Sequence, residues 1–234
     1  MLIYLLDTSG TTAGVALWQD GVIRYEAAVN HKMTHSEAAL LMTEEAFEKT
    51  GLTVGDTDYF AVVAGPGSFT GVRIGVTTVK ALAKSAGKPC IPVSALEAMS
   101  RSLRISDGVI CPMQNARRGQ VYAAVFDGRT GKRLLDDQPI ALRDILAQAT
   151  ELAHGRFILL TGDGMTAYQK ELEETGRSDL VFADACHVYL RPAAAAVLAA
   201  EQTDRAVDAD SLKPCYLRAP QAVRQRNLVE KAEL

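Results

Sequence analysis

The stretch "YFAVVAGPGSFTGVRIGVTTVKALAKSAG", Tyr59 to Gly87, decides the fold. "YFAVVA" is a short apolar run of strand length, "GPGSFTG" (Gly65–Gly71) breaks it, and a helical period runs from about Thr70 to Ala86 until Gly87 and Pro89 stop it. Strand, glycine turn and helix in that order make a βα unit. Glycines before a helix N-terminus leave N–H groups open to an anion. This is still no Walker A loop, because Val72 and Arg73 follow Gly71 where a Lys-Ser or Lys-Thr pair would stand. Nor is it a nucleophile elbow, since Pro66 and Thr70, not glycines, flank Ser68 at two residues. Gly71 and Gly75 fall four apart on one helical face, and glycine inside a helix costs about 1 kcal/mol against alanine. Close packing is the reason to keep them, either on the chain's own sheet or against a partner's helix.

Upstream, "LIYLLDT", "GVALWQ" and "VIRYEAAVN" read as three adjacent antiparallel strands with "SGTTA" and "DG" as turns. Thr34 and Glu37 form a capping box, Leu40, Leu41 and Phe47 supply an apolar helix face, and Gly51 ends that helix. Downstream, "CIPVS" is a short strand and "ALEAMSRSL" a helix. From about Ser106 the pattern restarts with "GVICPM", "VYAAVFDG" and "KRLLDD" as strands, then "RDILAQATELA", "RFILLTG", "MTAYQKELEET" and the alanine-rich "PAAAAVLAAEQ". The fold class is therefore α/β, as two abutting domains, 1–105 and 106–234, each a mixed sheet flanked by helices.

A chain of 234 residues can bury a substantial core, and its 48% hydrophobic and 23% charged residues are ordinary globular values. No stretch approaches the roughly 18 to 20 apolar residues of a membrane helix, and "MLIYLLDTSG" lacks a basic leader, so a cytoplasmic location is expected. Cys90, Cys111, Cys186 and Cys215 show no C-x-x-C spacing, which predicts reduced thiols and no metal. The net charge of −3 gives no general attraction to nucleic acid. The last 24 residues are basic through Lys213, Arg218, Arg224, Arg226 and Lys231, which suits either a solvated tail or a phosphate contact.

Two loops are candidate anion sites. Asp7, Thr8 and Ser9 close the first strand, where the carboxylate could orient a metal-bound water, or where all three could simply satisfy backbone donors. Gly162 and Gly164 in "GDGMTAY" repeat the strand-glycine-helix pattern in the second domain, as an anion cradle or a tight turn. His31 and His35 lie four apart, but the capping box starts the helix at Thr34 and separates them.

Taken together, "LLDTSGTTAGVAL", "THSEAALLMTEEAF", "VVAGPGSFTGVRIGVTTVKALA", "VSALEAM", "NARRGQVYAAVF", "TGDG" and "CYLR" closely resemble the bacterial TsaB family, also called YeaZ, which is needed to make threonylcarbamoyladenosine in transfer RNA. The resemblance covers most of the chain in order, and Gly65 to Ala83 is its most specific part. It implies a two-domain fold of the actin, Hsp70 and sugar-kinase (ASKHA) type. The catalytic relative TsaD holds a metal through His-x-x-x-His, and Ala95 and Met99 stand at the corresponding places here. Neither can replace imidazole, which counts against metallopeptidase chemistry. Asn115 stands where family members often carry aspartate, which counts against Mg-nucleotide chemistry.

The resemblance further implies a non-catalytic scaffold subunit that binds and activates TsaD through the helices at about 34–50 and 70–86, with the ATPase TsaE joining. The complex modifies the adenosine next to the anticodon. Leu41, Phe69, Gly71, Val72, Gly75, Val76 and Val79 are then the partner contacts, and they would pair two copies when TsaD is absent. No cofactor is required on this reading, weak ATP or ADP binding stays open, and so does direct contact with tRNA. The rival reading is an ATP-dependent small-molecule kinase or phosphatase using Asp7 and the two loops.

Overall fold

In the computed structural model, which describes residues 1–30 and 34–218, the chain opens with the expected meander of β1 (Leu2–Asp7), β2 (Ala13–Gln19) and β3 (Val22–Val29). β4 (Tyr59–Gly65) adds parallel to the other side of β1, and β5 (Cys90–Ser94) adds parallel to β4, giving the order β3-β2-β1-β4-β5. Every residue of β1 is buried, which its unbroken apolar run requires of a strand covered on both faces.

The second half repeats this plan. β6 (Val109–Arg117), β7 (Gln120–Asp127) and β8 (Arg133–Ala141) form an antiparallel meander, and β9 (Ile158–Thr161) and β10 (Leu180–Phe182) add parallel beyond β6. The order β10-β9-β6-β7-β8 is the first sheet's order read from the opposite edge.

Helices fill three layers around the two sheets. α1 (His35–Thr50) and α2 (Phe69–Ala86) cover one face of the first sheet, burying Met42, Phe47, Val72, Val76 and Val79 against Tyr4, Leu6 and Val62. α3 (Ala95–Arg101) and α7 (Pro192–Glu201) lie on its other face, in a cluster shared with Ala124 and Phe126 of β7, so this layer also joins the sheets. α4 (Leu142–Ala153), α5 (Asp163–Ala167) and α6 (Gln169–Glu174) cover the far face of the second sheet.

Three expectations need correction. The stretch from 106 to the C-terminus is not one separate body: α7 packs on β1, β2 and β3, and Val207 bridges to Cys90 of β5. Its alanines leave room for a helix close to the sheet. "MTAYQKELEET" is not one helix; it breaks at Tyr168, whose hydroxyl accepts a hydrogen bond from Gly119 N at 3.1 Å. On α1 the buried stripe is Ala38, Ala39, Met42, Thr43, Ala46 and Phe47, while Leu40 and Leu41 are 67% and 55% exposed. At 100° per residue, positions 38/39, 42/43 and 46/47 share a face that 40 and 41 do not.

The capping box at Thr34 and Glu37 is present, and Gly51 ends α1 in the left-handed conformation. Thr34→Ala should lower stability by about 1 kcal/mol, a melting-point drop of roughly 2 to 4 °C that differential scanning calorimetry would register.

Candidate functional site: the inter-sheet cleft and the outer face of α1

The loop after β1 is built against α2. Asp7, Thr8 and Ser9 are all buried, and Asp7 Oδ1 accepts a hydrogen bond from Ser9 N at 2.8 Å, a local Asx turn. Thr8 Oγ1 donates to Gly71 O at 2.7 Å, and Ser68 N donates to Ser9 O at 2.8 Å. These contacts explain the glycines. A Cβ on Gly71 would stand 2.0 Å from Thr8 O, and one on Gly75 would meet Thr8 Oγ1 at 2.6 Å and Val62 at 3.3 Å.

Gly71 and Gly75 therefore serve internal packing rather than a partner helix. Val72, Val76 and Val79 are at most 3% exposed and face the same core, so these five expected contact residues point inward. Phe69 is also engaged within the chain: its ring stacks on Tyr216 at 4.8 Å, and the Arg73 guanidinium lies 4.3 Å from its centre. Of the expected partner residues only Leu41 projects outward, and Leu40 beside it belongs with it.

Between the sheets lies a cleft of about 520 Å³, walled by Ser9, Gly10, Ser68 and Thr70 on one side and by Gln114, Asn115 and Asp163 on the other. Of the expected loop residues, Ser9 lines it, whereas Asp7, Thr8, Gly162 and Gly164 sit behind its wall. Gly162, at φ 98°, would bring a Cβ 2.0 Å from Met113 O, and one on Gly164 would lie 2.9 Å from the same atom. The second glycine loop is thus a tight turn against β6 that presents Asp163. Two buried polar atoms of residues in this wall, Ser9 Oγ and Gln114 Oε1, have no hydrogen-bond partner among the described residues.

Asn115 is committed to structure: its N donates to Asp163 Oδ1 at 3.0 Å, and its Oδ1 accepts from Arg117 N at 2.8 Å. That contact holds a hairpin tip in which Arg117 and Arg118 both have positive φ, 63° and 58°. Burial pushes the Asp163 carboxyl upward against its backbone hydrogen bonds.

The cleft's third wall is Cys215 to Arg218, which stands in the sequence only as the "CYLR" of the family resemblance. Cys215 N donates to Ala64 O at 2.7 Å, Arg73 Nε donates to Tyr216 Oη at 2.9 Å, and Arg218 reaches Gln120 and the Tyr122 ring across the cleft. Tyr216 joins Phe69 and Arg73 there, and Arg218 joins Gln120 and Tyr122 on the opposite side. Arg224, Arg226 and Lys231 of the basic tail, and His31, lie outside the described residues; His35 abuts Gly71.

Ala95 and Met99 occupy one face of α3, 0% and 3% exposed within the middle core, and offer no imidazole or carboxylate to that layer. Ser94 caps the helix, accepting from Glu97 N at 3.2 Å.

Burial raises the Asp7 carboxyl to about 6, opposed in part by its hydrogen bond from Ser9 N and by the nearby His35. The folded chain then binds the proton more tightly than the unfolded one, whose carboxyl titrates near 4. Asp7 therefore supports stability below about pH 4, and that support is lost as pH rises through about 6. Asp7→Asn, which keeps an acceptor for Ser9 N, should flatten the stability profile between these limits and stabilise the protein by up to about 3 kcal/mol at pH 7.5, read from urea midpoints at each pH.

Two lobes that repeat one five-stranded mixed sheet, with a cleft between them, make a fold of the actin, Hsp70 and sugar-kinase type. A model of the TsaD family, described as tRNA N6-adenosine threonylcarbamoyltransferase, matches residues 25–222. The chain is 33% identical to the tRNA threonylcarbamoyladenosine biosynthesis protein TsaB of Bacillus subtilis over 95% of its own length and 96% of that protein's. It is 34% identical to TsaB of Escherichia coli over 54% of this chain and 55% of that one. The structure described as YeaZ from Pseudomonas aeruginosa superposes with a TM-score of 0.75 at 24% identity, covering 92% of this chain and 99% of that one. The chain belongs to the TsaB (YeaZ) family. No helix among the described residues is long and apolar enough to cross a membrane.

Proposed function

We propose that this chain serves threonylcarbamoyladenosine formation in tRNA as a non-catalytic scaffold, binding TsaD through the outer face of α1 and α2 and activating it in a complex with TsaE. The observation that carries this reading is the leucine pair: Leu40 and Leu41 stand exposed on the helix layer that covers the first sheet. Adjacent leucines that no described residue covers are what a helix-packing partner would desolvate. In the absence of TsaD the same face would pair two copies. Cytoplasmic residence follows from that role.

The kinase or phosphatase reading fits less well. Asp7 is pinned behind the cleft wall, and Asn115 is spent on the hairpin. One observation keeps a small polar ligand in the cleft as a second reading: the unpartnered Ser9 Oγ and Gln114 Oε1. Calorimetry with ATP and Mg²⁺ on the isolated chain separates the two. Tight binding with turnover would support an enzyme, and weak binding without turnover a scaffold with a residual nucleotide cleft.

A further inference from the structure

The chain leaves β10, the edge strand of the second sheet, through "DACH", Asp184 to His187. Three different donor atoms converge there. Asp184 Oδ1 accepts from Cys186 Sγ at 2.8 Å and lies 2.8 Å from His187 Nδ1, and Sγ and Nδ1 are 3.3 Å apart. The loop that carries them is anchored at both ends. Ala183 N donates to Leu160 O at 2.9 Å, Thr161 Oγ1 donates to His187 O at 2.5 Å, and His187 N closes the turn on Asp184 O at 2.9 Å. Thr161 is fully buried in the second sheet, so the turn is held by the core while its side chains face solvent.

This is not a hydrolytic Cys-His-Asp set. Such a set needs the two imidazole nitrogens to face different partners, and here thiol and carboxylate both meet Nδ1. What the three atoms share is a centre. Zinc bonds of 2.0 to 2.3 Å at tetrahedral angles place ligand atoms about 3.4 to 3.6 Å apart, so side-chain shifts below about 1 Å would admit an ion.

We propose that Asp184, Cys186 and His187 form a binding site for a borderline divalent cation such as Zn²⁺, with water completing the tetrahedron. Thiolate and imidazole select a borderline or soft metal over Mg²⁺ or Ca²⁺. Binding replaces the thiol proton, which leaves to solvent, and the imidazole carries its proton on Nε2, so that carboxylate, thiolate and cation sum to zero charge. Glu26, on the adjoining cavity wall, is not the fourth ligand, because Arg191 and Ala193 N already occupy its carboxylate. Cys186 and Asp184 are exposed, which leaves the entry path open.

Cobalt(II) titration of the full-length, reduced protein tests this. The expected result is a thiolate-to-cobalt charge-transfer band in the near ultraviolet that saturates at one ion per chain and is displaced by Zn²⁺. Cys186→Ser should abolish the band, and Cys215→Ser, which removes the other exposed thiol, should keep it. His187→Ala and Asp184→Asn should each weaken binding by about tenfold or more. Circular dichroism unchanged in all four variants shows that the turn tolerates them. The proposal is overturned if the wild-type protein gives no band, if Cys186→Ser retains it, if Cys215→Ser loses it, or if both ligand variants bind as tightly as wild type.

Discussion

Changing Leu40 and Leu41 together to aspartate is expected to abolish capture of TsaD while leaving the melting temperature within about 2 °C of wild type. Both side chains lie more than half in solvent, so the isolated fold loses almost no packing when they go. Within a helix-to-helix interface the same changes would remove two apolar anchors and bury two carboxylates against an apolar partner surface. At roughly 2 to 4 kcal/mol for each anchor, the affinity should fall by at least 100-fold. Isothermal titration against purified TsaD reads the effect directly. Light scattering of the isolated chain should show the same double change dissociating any homodimer formed through this face. An affinity within threefold of wild type would move the partner surface elsewhere.

The second large effect lies in the fold. Gly71→Ala adds one methyl group that must stand 2.0 Å from a backbone oxygen, Thr8 O, which cannot rotate away as a side-chain tip would. Relief requires β1 and α2 to separate, and that would break the Thr8 Oγ1 to Gly71 O hydrogen bond and loosen Val72 and Val76 in the core. A loss of about 3 to 5 kcal/mol is expected, which at this chain length lowers the melting temperature by roughly 10 °C or more. Gly75→Ala should cost less, because its close neighbours are side-chain atoms, Thr8 Oγ1 at 2.6 Å and a Val62 methyl at 3.3 Å. Melting curves of the two variants side by side would check both size and order. A Gly71→Ala protein as stable as wild type would mean that α2 does not need this approach to β1. Bulky changes at either glycine test folding, so they make poor probes of a partner interface.

The fold was legible because its signals are local. Apolar runs of strand length, the capping box at Thr34, the terminal glycines Gly51 and Gly87 and the restart near Ser106 each state a local preference that tertiary packing upheld. What was not legible depended on partners distant in sequence. The glycine pair announced a close approach, but only the structure shows that Thr8 is what approaches. Phe69 looked like a free anchor because Tyr216, which covers it, lies 147 positions further on. Leu40 and Leu41 were folded into an apolar face by composition, although the phase set by Ala39, Met42, Ala46 and Phe47 already excluded them. In the same way, α7 follows the second sheet in sequence, and nothing local says that its alanine face returns to the first.

The most direct test of the scaffold role is reconstitution of threonylcarbamoyl transfer to tRNA from purified TsaD and TsaE, supplied with threonylcarbamoyl-adenylate. Transfer should be near background without this chain, should be restored by the wild-type chain, and should stay near background with Leu40 and Leu41 changed to aspartate. Transfer at full rate without the chain would contradict the proposed role.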